Sequence, residues 1–331
     1  MQQIHGESFV LAKAEQSRFC FDSVVKGSLV LRSTFLPEKP GNVVYTEGQD
    51  FVVDYAKGTL ARTATSRIPD FATNVLYGQK DFDQTKFPGF SNHPWFVWAD
   101  YKTNNQGPWA KRNDQHRPLA PVRKKLEAGG PFKIVTYGDS ITAGGEASEE
   151  ALRFQQRYAQ YLRGKFPKAQ LSVEDLSLSG YASRQGIDWF DKKPESLRPL
   201  TTLGTVEKPD LVLVGFGMND HNRGTAEPEV FKNNLVTLTK LIQERKGAKV
   251  VLFSAFPPHD NWHYGTHRMA QFAAATQQAA VEAACAYADV FSTWEWVLKR
   301  KDQSSLLGNN INHPNDFGHW LYEQAFEAMV F

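Results

Sequence analysis

The chain has 331 residues, of which 41% are hydrophobic and 22% are charged, a balance typical of a globular protein with one large domain or two. The formal charge of +2 argues against a nucleic-acid partner, because such proteins carry a concentrated basic excess. No apolar stretch reaches the length of a membrane span, so the sequence predicts no membrane partner either.

The first residues lack the basic and apolar regions of a secretory signal. The compartment therefore stays open between a cytoplasmic protein and a secreted one whose signal has been removed. Cys20 and Cys285 fit neither a metal spacing nor a disulfide framework, and we expect both to be buried thiols.

Residues 1–126 are predicted to form a β-rich, sandwich-like accessory domain, with carbohydrate contact as a candidate role. Residues 28–35 and 51–55 are short β-branched or aromatic runs, and glycine-containing turns separate them. Residues 87–98 concentrate aromatic side chains. They are interpreted either as a core strand with a proline-rich approach or as a platform on which a sugar could stack.

Residues 127–331 are predicted to form a second, catalytic domain. Charged residues with proline and glycine at 111–131 suggest a linker or crossover before it. Apolar runs then alternate with helical segments, and this alternation predicts a parallel sheet covered by helices on both faces. The predicted strands lie at 134–137, 171–178, 211–216, 250–256 and about 288–291. The predicted helices lie at 149–166, 228–245 and 266–286, followed by one that begins at Asp316.

Four short motifs follow these strands or precede the last helix. Strands that end at one sheet edge bring such residues to the edge where open α/β proteins bind ligands. The motifs are Gly138-Asp139-Ser140 after the first strand, Gly180 after the second, Gly217-Met218-Asn219-Asp220 after the third, and His313-Pro314-Asn315 before the last helix.

Together these residue types suffice for acyl transfer. Ser140 needs a general base to become nucleophilic, and His313 can supply it. The backbone N–H groups of Ser140 and Gly180 and the side-chain amide of Asn219 could hold the oxyanion of the tetrahedral intermediate. The motifs thus predict a serine hydrolase.

On these motifs the chain resembles the SGNH (GDSL) hydrolase family over roughly residues 131–331. The resemblance implies a three-layer α/β/α fold with a five-stranded parallel sheet. It also implies Ser140 as nucleophile, Gly180 and Asn219 in the oxyanion hole, and His313 as base, with no metal or other cofactor. Family members hydrolyse esters, often acetyl groups on sugars or short acyl chains.

The chain departs from the family three residues before the histidine, where the usual aspartate is Asn310. In serine proteases the equivalent change of aspartate to asparagine lowers turnover about ten-thousand-fold. Three interpretations stay open. The site could work as a Ser140–His313 dyad in which Asn310 Oδ1 or a backbone carbonyl accepts from the ring. Asp302 or Asp316 could supply a carboxylate, or the site could be weak or inactive.

Other histidines offer alternatives. Asp316-Phe317-Gly318-His319 repeats the Asp-x-x-His spacing, but His319 is expected inside the last helix. His259, His263 and His267 recur every four residues, which suits metal ligands only on a continuous helix, and Pro257-Pro258 and Gly265 break one here. A loop lining a pocket is the better interpretation of this stretch.

The sequence therefore predicts a serine esterase for short acyl esters, with O-acetyl groups on carbohydrate as the first candidate substrate. The alternatives are a carbohydrate-binding protein with a degenerate hydrolase site, and a broader short-chain lipolytic esterase.

Overall fold

The structure is a computed structural model that describes residues 1–105, 110–193 and 201–331. Its residues form two compact units. The β-rich unit consists of Met1–Pro108, His259–His263 and Glu295–Gly318, and the α/β unit consists of Trp109–Pro258, Tyr264–Trp294 and His319–Phe331. This division differs from two consecutive domains that meet at residue 126, because two later segments of the chain belong to the β-rich unit.

Two antiparallel sheets build the β-rich unit. Its strands are β1 (Gln2–Phe9), β2 (Ser17–Arg18), β3 (Val30–Arg32), β4 (Val44–Tyr45), β5 (Phe51–Asp54), β6 (Thr59–Arg62) and β7 (Val97–Thr103). One sheet has the strand order β1-β7-β3-β4 and the other has the order β2-β6-β5. The predicted β-rich character of the N-terminal region is confirmed.

The aromatic segment at 87–98 runs into β7. Phe96 and Trp98 are buried and pack against each other with ring centroids 5.3 Å apart. Trp98 also makes an edge-to-face contact with Phe35. These two rings therefore belong to the core of the β-rich unit, as the core-strand interpretation expected, and are not available to stack on a ligand.

A five-stranded parallel sheet forms the centre of the α/β unit and confirms the predicted three-layer α/β/α fold. The strands of this unit are β8 (Asn113–Asp114), β9 (Gly130–Gly138), β10 (Ala169–Asp175), β11 (Leu211–Gly215), β12 (Lys249–Phe253), β13 (Ala286–Ala288) and β14 (Met329–Val330). The large sheet has the order β10-β9-β11-β12-β13, and β8 pairs with β14 separately. The strands β10 and β11 thus flank β9, which carries the serine motif at its end.

Helices follow the strands in the alternating order that the sequence predicts. They are α1 (His116–Ala128), α2 (Phe154–Lys165), α3 (Ser183–Asp188), α4 (Met218–His221), α5 (Pro228–Lys246), α6 (Met269–Glu282), α7 (Val290–Leu298) and α8 (Asp316–Glu327). Among the described residues, no helix combines the length and the apolar character needed to cross a bilayer. Both cysteines are buried free thiols, as expected.

Two sequence-based assignments need correction. The predicted linker at 111–131 contains α1, because Leu119, Val122 and Leu126 recur at helical spacing and are buried. The helix accommodates Pro121 in its interior. The fifth strand ends at Ala288, and Phe291 lies in α7.

A buried ion pair fixes residues 295–318 into the β-rich unit. The Lys301 ammonium lies 2.8 Å from Glu7 Oε1, and the two side chains are 1% and 0% exposed. The Glu7 carboxylate also accepts from the Cys20 backbone N–H at 2.9 Å and from the Tyr101 hydroxyl at 2.5 Å. Lys301 stands 3.3 Å from the centroid of the Phe9 ring. Both charges are therefore compensated in a site without water contact.

Hydrogen bonds extend this attachment toward His313. The Ser8 hydroxyl donates to the Ser305 carbonyl at 2.5 Å. Buried Asn92 donates its side-chain amide to the carbonyls of Ser304 and Leu307, each at 2.9 Å, and its backbone N–H to Gly308 at 2.8 Å. The N-terminal residues thus hold the backbone of the segment that precedes His313.

We expect Glu7→Gln to lower the free energy of unfolding by about 3–5 kcal/mol, because it leaves the Lys301 ammonium buried without a compensating charge. Urea titration of the wild type and the variant measures the difference. Glu127→Gln is the matched control. Its partner Arg123 and Glu127 itself are 47% and 51% exposed, so we expect a loss below about 1 kcal/mol. Equal small losses in the two variants would contradict a stabilising role for the buried pair.

Candidate active site

Ser140 lies directly after β9, in a turn that Asp139 organises. Asp139 Oδ1 accepts from the backbone N–H groups of Ile141 at 3.0 Å and Thr142 at 3.3 Å. The Thr142 hydroxyl donates to the Gly215 carbonyl at 2.8 Å, which ties the turn to the end of β11. Ser140 itself is half-buried. The turn therefore places Ser140 at the carboxyl edge of the sheet.

The close approach of β9 and β11 explains the glycine before Asp139. A Cβ atom on Gly138 would stand 2.0 Å from the Gly215 carbonyl oxygen and 2.4 Å from the Thr142 hydroxyl. Asp139 is 3% exposed, and burial raises its pKa to about 7. Its carboxyl serves the shape of the turn through Oδ1 and is shielded from solvent.

Gly180 lies in the loop that follows β10, and Asn219 lies in the short helix that follows β11; β10 and β11 are the two neighbours of β9. Gly180 is exposed and has φ of +81°, a conformation that favours glycine. Asn219 stands in α4 and donates from Nδ2 to the Tyr181 carbonyl at 2.9 Å. An amide nitrogen carries two hydrogens, so this bond orients the Asn219 amide while one N–H remains to serve a ligand. Ser140, Gly180 and Asn219 thus share one edge of the α/β unit.

His313 belongs to the β-rich unit and stands in a tight loop between Leu307 and Pro314, which form an isolated bridge. Asn309 Oδ1 accepts from the backbone N–H groups of Ile311, Asn312 and His313 at 2.9–3.0 Å. These three donors fix the orientation of the Asn309 amide, so its Nδ2 faces the imidazole.

Two neutral amides flank the His313 ring at Nδ1. Asn312 Oδ1 lies 2.8 Å from Nδ1, and Asn309 Nδ2 lies 2.6 Å from it. If Nδ1 carries the proton, it donates to Asn312 Oδ1 and Nε2 has the lone pair that a general base needs. If Nδ1 is unprotonated, it accepts from Asn309 Nδ2 and Nε2 carries the proton. Each tautomer therefore makes one of these two bonds and leaves the other amide atom mismatched, whereas a carboxylate, which only accepts, would select the first.

Asn310 does not supply the acceptor for the ring, which corrects that interpretation of the predicted site residue. Its Oδ1 is buried and has no hydrogen-bond partner, and the residue takes the left-handed conformation with φ of +57°. Asp302 accepts through Oδ1 and Oδ2 from the N–H and hydroxyl of Ser305. Asp316 begins α8 and is buried.

Four other histidines make contacts within their own unit. His319 lies inside α8, as expected, and its Nε2 is 3.2 Å from the Gly145 carbonyl, the geometry of a donor. His221 is buried, burial lowers its pKa, and its Nε2 accepts from the Arg268 N–H. His259 packs against Phe82, and His263 lies 2.9 Å from Asp81. Among the residues with described placement, no group of three potential ligands is arranged to hold a metal ion.

Sequence reasoning missed Asn309 and Asn312. Each is an asparagine in a loop, where that residue is common for turn formation alone. The one available signal is the run Asn309-Asn310-Ile311-Asn312, which places three amides directly before the candidate base.

A protein-family model and several solved structures are similar to this chain. Residues 136–321, more than half of the chain, match the model of the GDSL-like lipase/acylhydrolase family. No curated protein matches the chain in sequence.

Several solved structures are similar to the chain at low identity. An acetylxylan esterase from Geobacillus stearothermophilus is 20% identical, with a TM-score of 0.48, over 62% of this chain and 97% of that one. A two-domain esterase active on acetylated mannans is 20% identical, with a TM-score of 0.49, over 66% and 53% of the two chains. An alpha/beta hydrolase from the metagenome of Lake Arreo, Spain, is 21% identical, with a TM-score of 0.48, over 62% and 97%.

The matched region contains Ser140, Gly180, Asn219 and His313, and its fold has the expected five-stranded parallel sheet. The chain belongs to the GDSL-like lipase/acylhydrolase family of carboxylic ester hydrolases.

Proposed function

We propose that the protein is a serine esterase that hydrolyses short acyl esters, with O-acetyl groups on carbohydrate as its substrate class. The observation that carries the proposal is the bond from Asn219 Nδ2 to the Tyr181 carbonyl. It joins the loop of Gly180 to that of Asn219, and these loops follow the two strands that flank the strand of Ser140. A nucleophile between two prepared donors is the arrangement that acyl transfer requires.

In the proposed mechanism, Ser140 Oγ attacks the ester carbonyl and His313 Nε2 takes the serine proton. The N–H groups of Ser140 and Gly180 and the Asn219 amide hold the oxyanion. His313 returns the proton to the leaving alcohol, which leaves an acyl group on Ser140. Water, activated by His313, then releases the carboxylic acid and restores the serine. His313 is assigned to this role by its motif and by the tautomers that its own loop allows.

Asn312 completes the mechanism as the acceptor for Nδ1. When His313 takes the serine proton, both ring nitrogens carry hydrogens, and only an oxygen acceptor suits Nδ1. Asn312 Oδ1 at 2.8 Å provides it. A neutral amide stabilises the imidazolium less than a carboxylate does.

The donor edge favours a polar alcohol in the substrate. Ser179 and Gly180 are exposed, and apart from the chain neighbours of Gly180 no heavy atom of the described residues lies within 4 Å of the position that a Cβ on Gly180 would take. A hydrated group such as a sugar can approach an edge of this kind without the cost of complete desolvation. The exposure of the Gly180 donor therefore supports a carbohydrate ester as substrate over a long-chain lipid ester.

Ser140→Ala and His313→Ala should each lower the turnover of p-nitrophenyl acetate by more than about a thousand-fold, because either change removes the activated nucleophile. Ser172→Ala, which changes an exposed serine of β10, is the matched control and should keep wild-type turnover. Unchanged turnover in Ser140→Ala would eliminate the mechanism.

The acyl and alcohol preferences have a separate test. We expect purified protein to hydrolyse p-nitrophenyl acetate with a higher kcat/KM than the octanoate ester and to release acetate from acetylated oligosaccharides. Preference for octanoate would favour the lipolytic alternative. Binding of acetylated oligosaccharides without any release of acetate would favour the degenerate, carbohydrate-binding alternative.

Asn312→Asp should raise the plateau of kcat/KM by about tenfold or more, because a carboxylate selects the tautomer with the proton on Nδ1 and stabilises the imidazolium. The acid limb of the pH profile should move to higher pH, since a nearby negative charge favours the protonated ring. Asn310→Asp restores the usual family position and is the control, with a smaller shift expected because Asn310 Oδ1 contacts no polar partner. A larger effect from Asn310→Asp than from Asn312→Asp would contradict the role of Asn312.

A further inference from the structure

We propose that Asp220 and Ser183 are positioning residues that set the spacing of the oxyanion donors on Gly180 and Asn219. The inference rests on the proposed function, because it concerns the same donors. Neither residue is expected to touch the substrate, and both act through the residues beside them in the chain.

The contact between the two side chains is short and fully enclosed. Asp220 Oδ1 and Oδ2 accept from the Ser183 backbone N–H at 3.1 and 3.0 Å. Asp220 Oδ1 also accepts from the Ser183 hydroxyl at 2.5 Å. The two residues are 1% and 0% exposed, so water does not compete for these bonds. Hydrogen bonds to a buried carboxylate belong to the stronger class of such interactions.

Ser183 and Asp220 each lie close in the chain to one of the proposed oxyanion donors. Ser183 is the first residue of α3 and follows Gly180 by three residues, whereas Asp220 directly follows Asn219 in α4. The Asn219 amide is also bonded to the Tyr181 carbonyl. Two consecutive residues of α4 are thus bonded to the short stretch 181–183, which leaves little freedom for the two donor loops to separate.

A residue of α5 also contacts the Ser183 hydroxyl. Asn234 of α5 donates from Nδ2 to the Ser183 hydroxyl at 3.0 Å, so Ser183 Oγ accepts from α5 while it donates to Asp220. Because the Ser183 hydroxyl has both roles filled, its orientation is determined. The Asp220 carboxylate therefore accepts from a hydroxyl whose orientation is fixed.

This arrangement explains why the sequence places an aspartate after Asn219. Oxyanion donors act by being oriented before the reaction, and their contribution depends on small distances. Without the contact, the bond from Asn219 to the Tyr181 carbonyl would remain as the side-chain link between α4 and the stretch 181–183 among the described residues. The contact should therefore affect the transition state, in which the oxyanion exists, more than the binding of the ground-state ester.

Asp220→Asn tests the proposal, because an amide nitrogen replaces one of the two acceptor oxygens. This nitrogen is a donor and would face the Ser183 N–H, which is also a donor. We expect kcat for p-nitrophenyl acetate to fall by about tenfold or more, while KM stays within about threefold of wild type. The inhibition constant of phenylboronic acid, which forms a tetrahedral adduct with an active serine, should weaken by a similar factor. Ser183→Ala keeps the backbone donor and loses the hydroxyl, and we expect a smaller loss in the same direction.

Thr276→Val is the matched control. It removes a buried hydroxyl from α6 of the same unit, where Thr276 donates to the Phe272 carbonyl. Its kinetic constants should equal those of the wild type. Unchanged kcat in both Asp220→Asn and Ser183→Ala would overturn the proposal, as would a kcat loss with an unchanged boronate constant or a similar loss in Thr276→Val. Absence of Ser140-dependent turnover in the wild type would instead refute the proposed function itself.

Discussion

The buried ion pair of Glu7 and Lys301 is the interaction on which the arrangement of the candidate base depends. A charge without water contact needs a partner of opposite sign and further hydrogen bonds, and the surrounding groups meet both needs. Cys20 and Tyr101 donate to the carboxylate, and the Phe9 ring lies beside the ammonium. Since Lys301 lies twelve residues before His313, the segment that bears the base begins from a fixed point in the β-rich unit.

This attachment gives the N-terminal region a structural role in positioning the segment before His313. A region placed before a catalytic domain suggests an accessory module, but here its strands and Asn92 hold the backbone from Ser304 to Gly308. The proposed nucleophile and oxyanion donors lie in the α/β unit, whereas the proposed base lies in the β-rich unit. Around the proposed base, three backbone donors orient Asn309, and Asn312 offers an oxygen to the ring. The proposed catalytic residues therefore depend on two separate cores.

Local patterns made most of the α/β unit predictable. Apolar β-branched runs such as 211–215 identify buried parallel strands, and the small-residue motifs at their ends identify Ser140, Gly180 and Asn219. The contact of Glu7 with Lys301 joins residues 294 positions apart, and no local pattern reports it. The same holds for Ser183 and Asp220, whose residue types are ordinary at helix ends. The prolines of α1 favoured a linker over a helix at this position. Asn312 could not be singled out, because asparagine is common in loops for turn formation alone. Sequence thus located the motifs, and tertiary contacts determined which neighbours orient them.

Native-state hydrogen exchange is the most direct test of the claim that the β-rich unit holds the segment of the base. Exchange of backbone amides in residues 304–315 should be slowed together with that of β1 and β7, because regions that unfold as one cooperative unit share a free energy of opening. Under increasing urea, we expect the amides of residues 304–315, β1 and β7 to reach the same opening free energy, either before the amides of β9 and β11 or together with them. Rapid exchange of residues 304–315 while β1 and β7 stay protected would contradict it, since the segment would then open independently of the strands that are said to hold it.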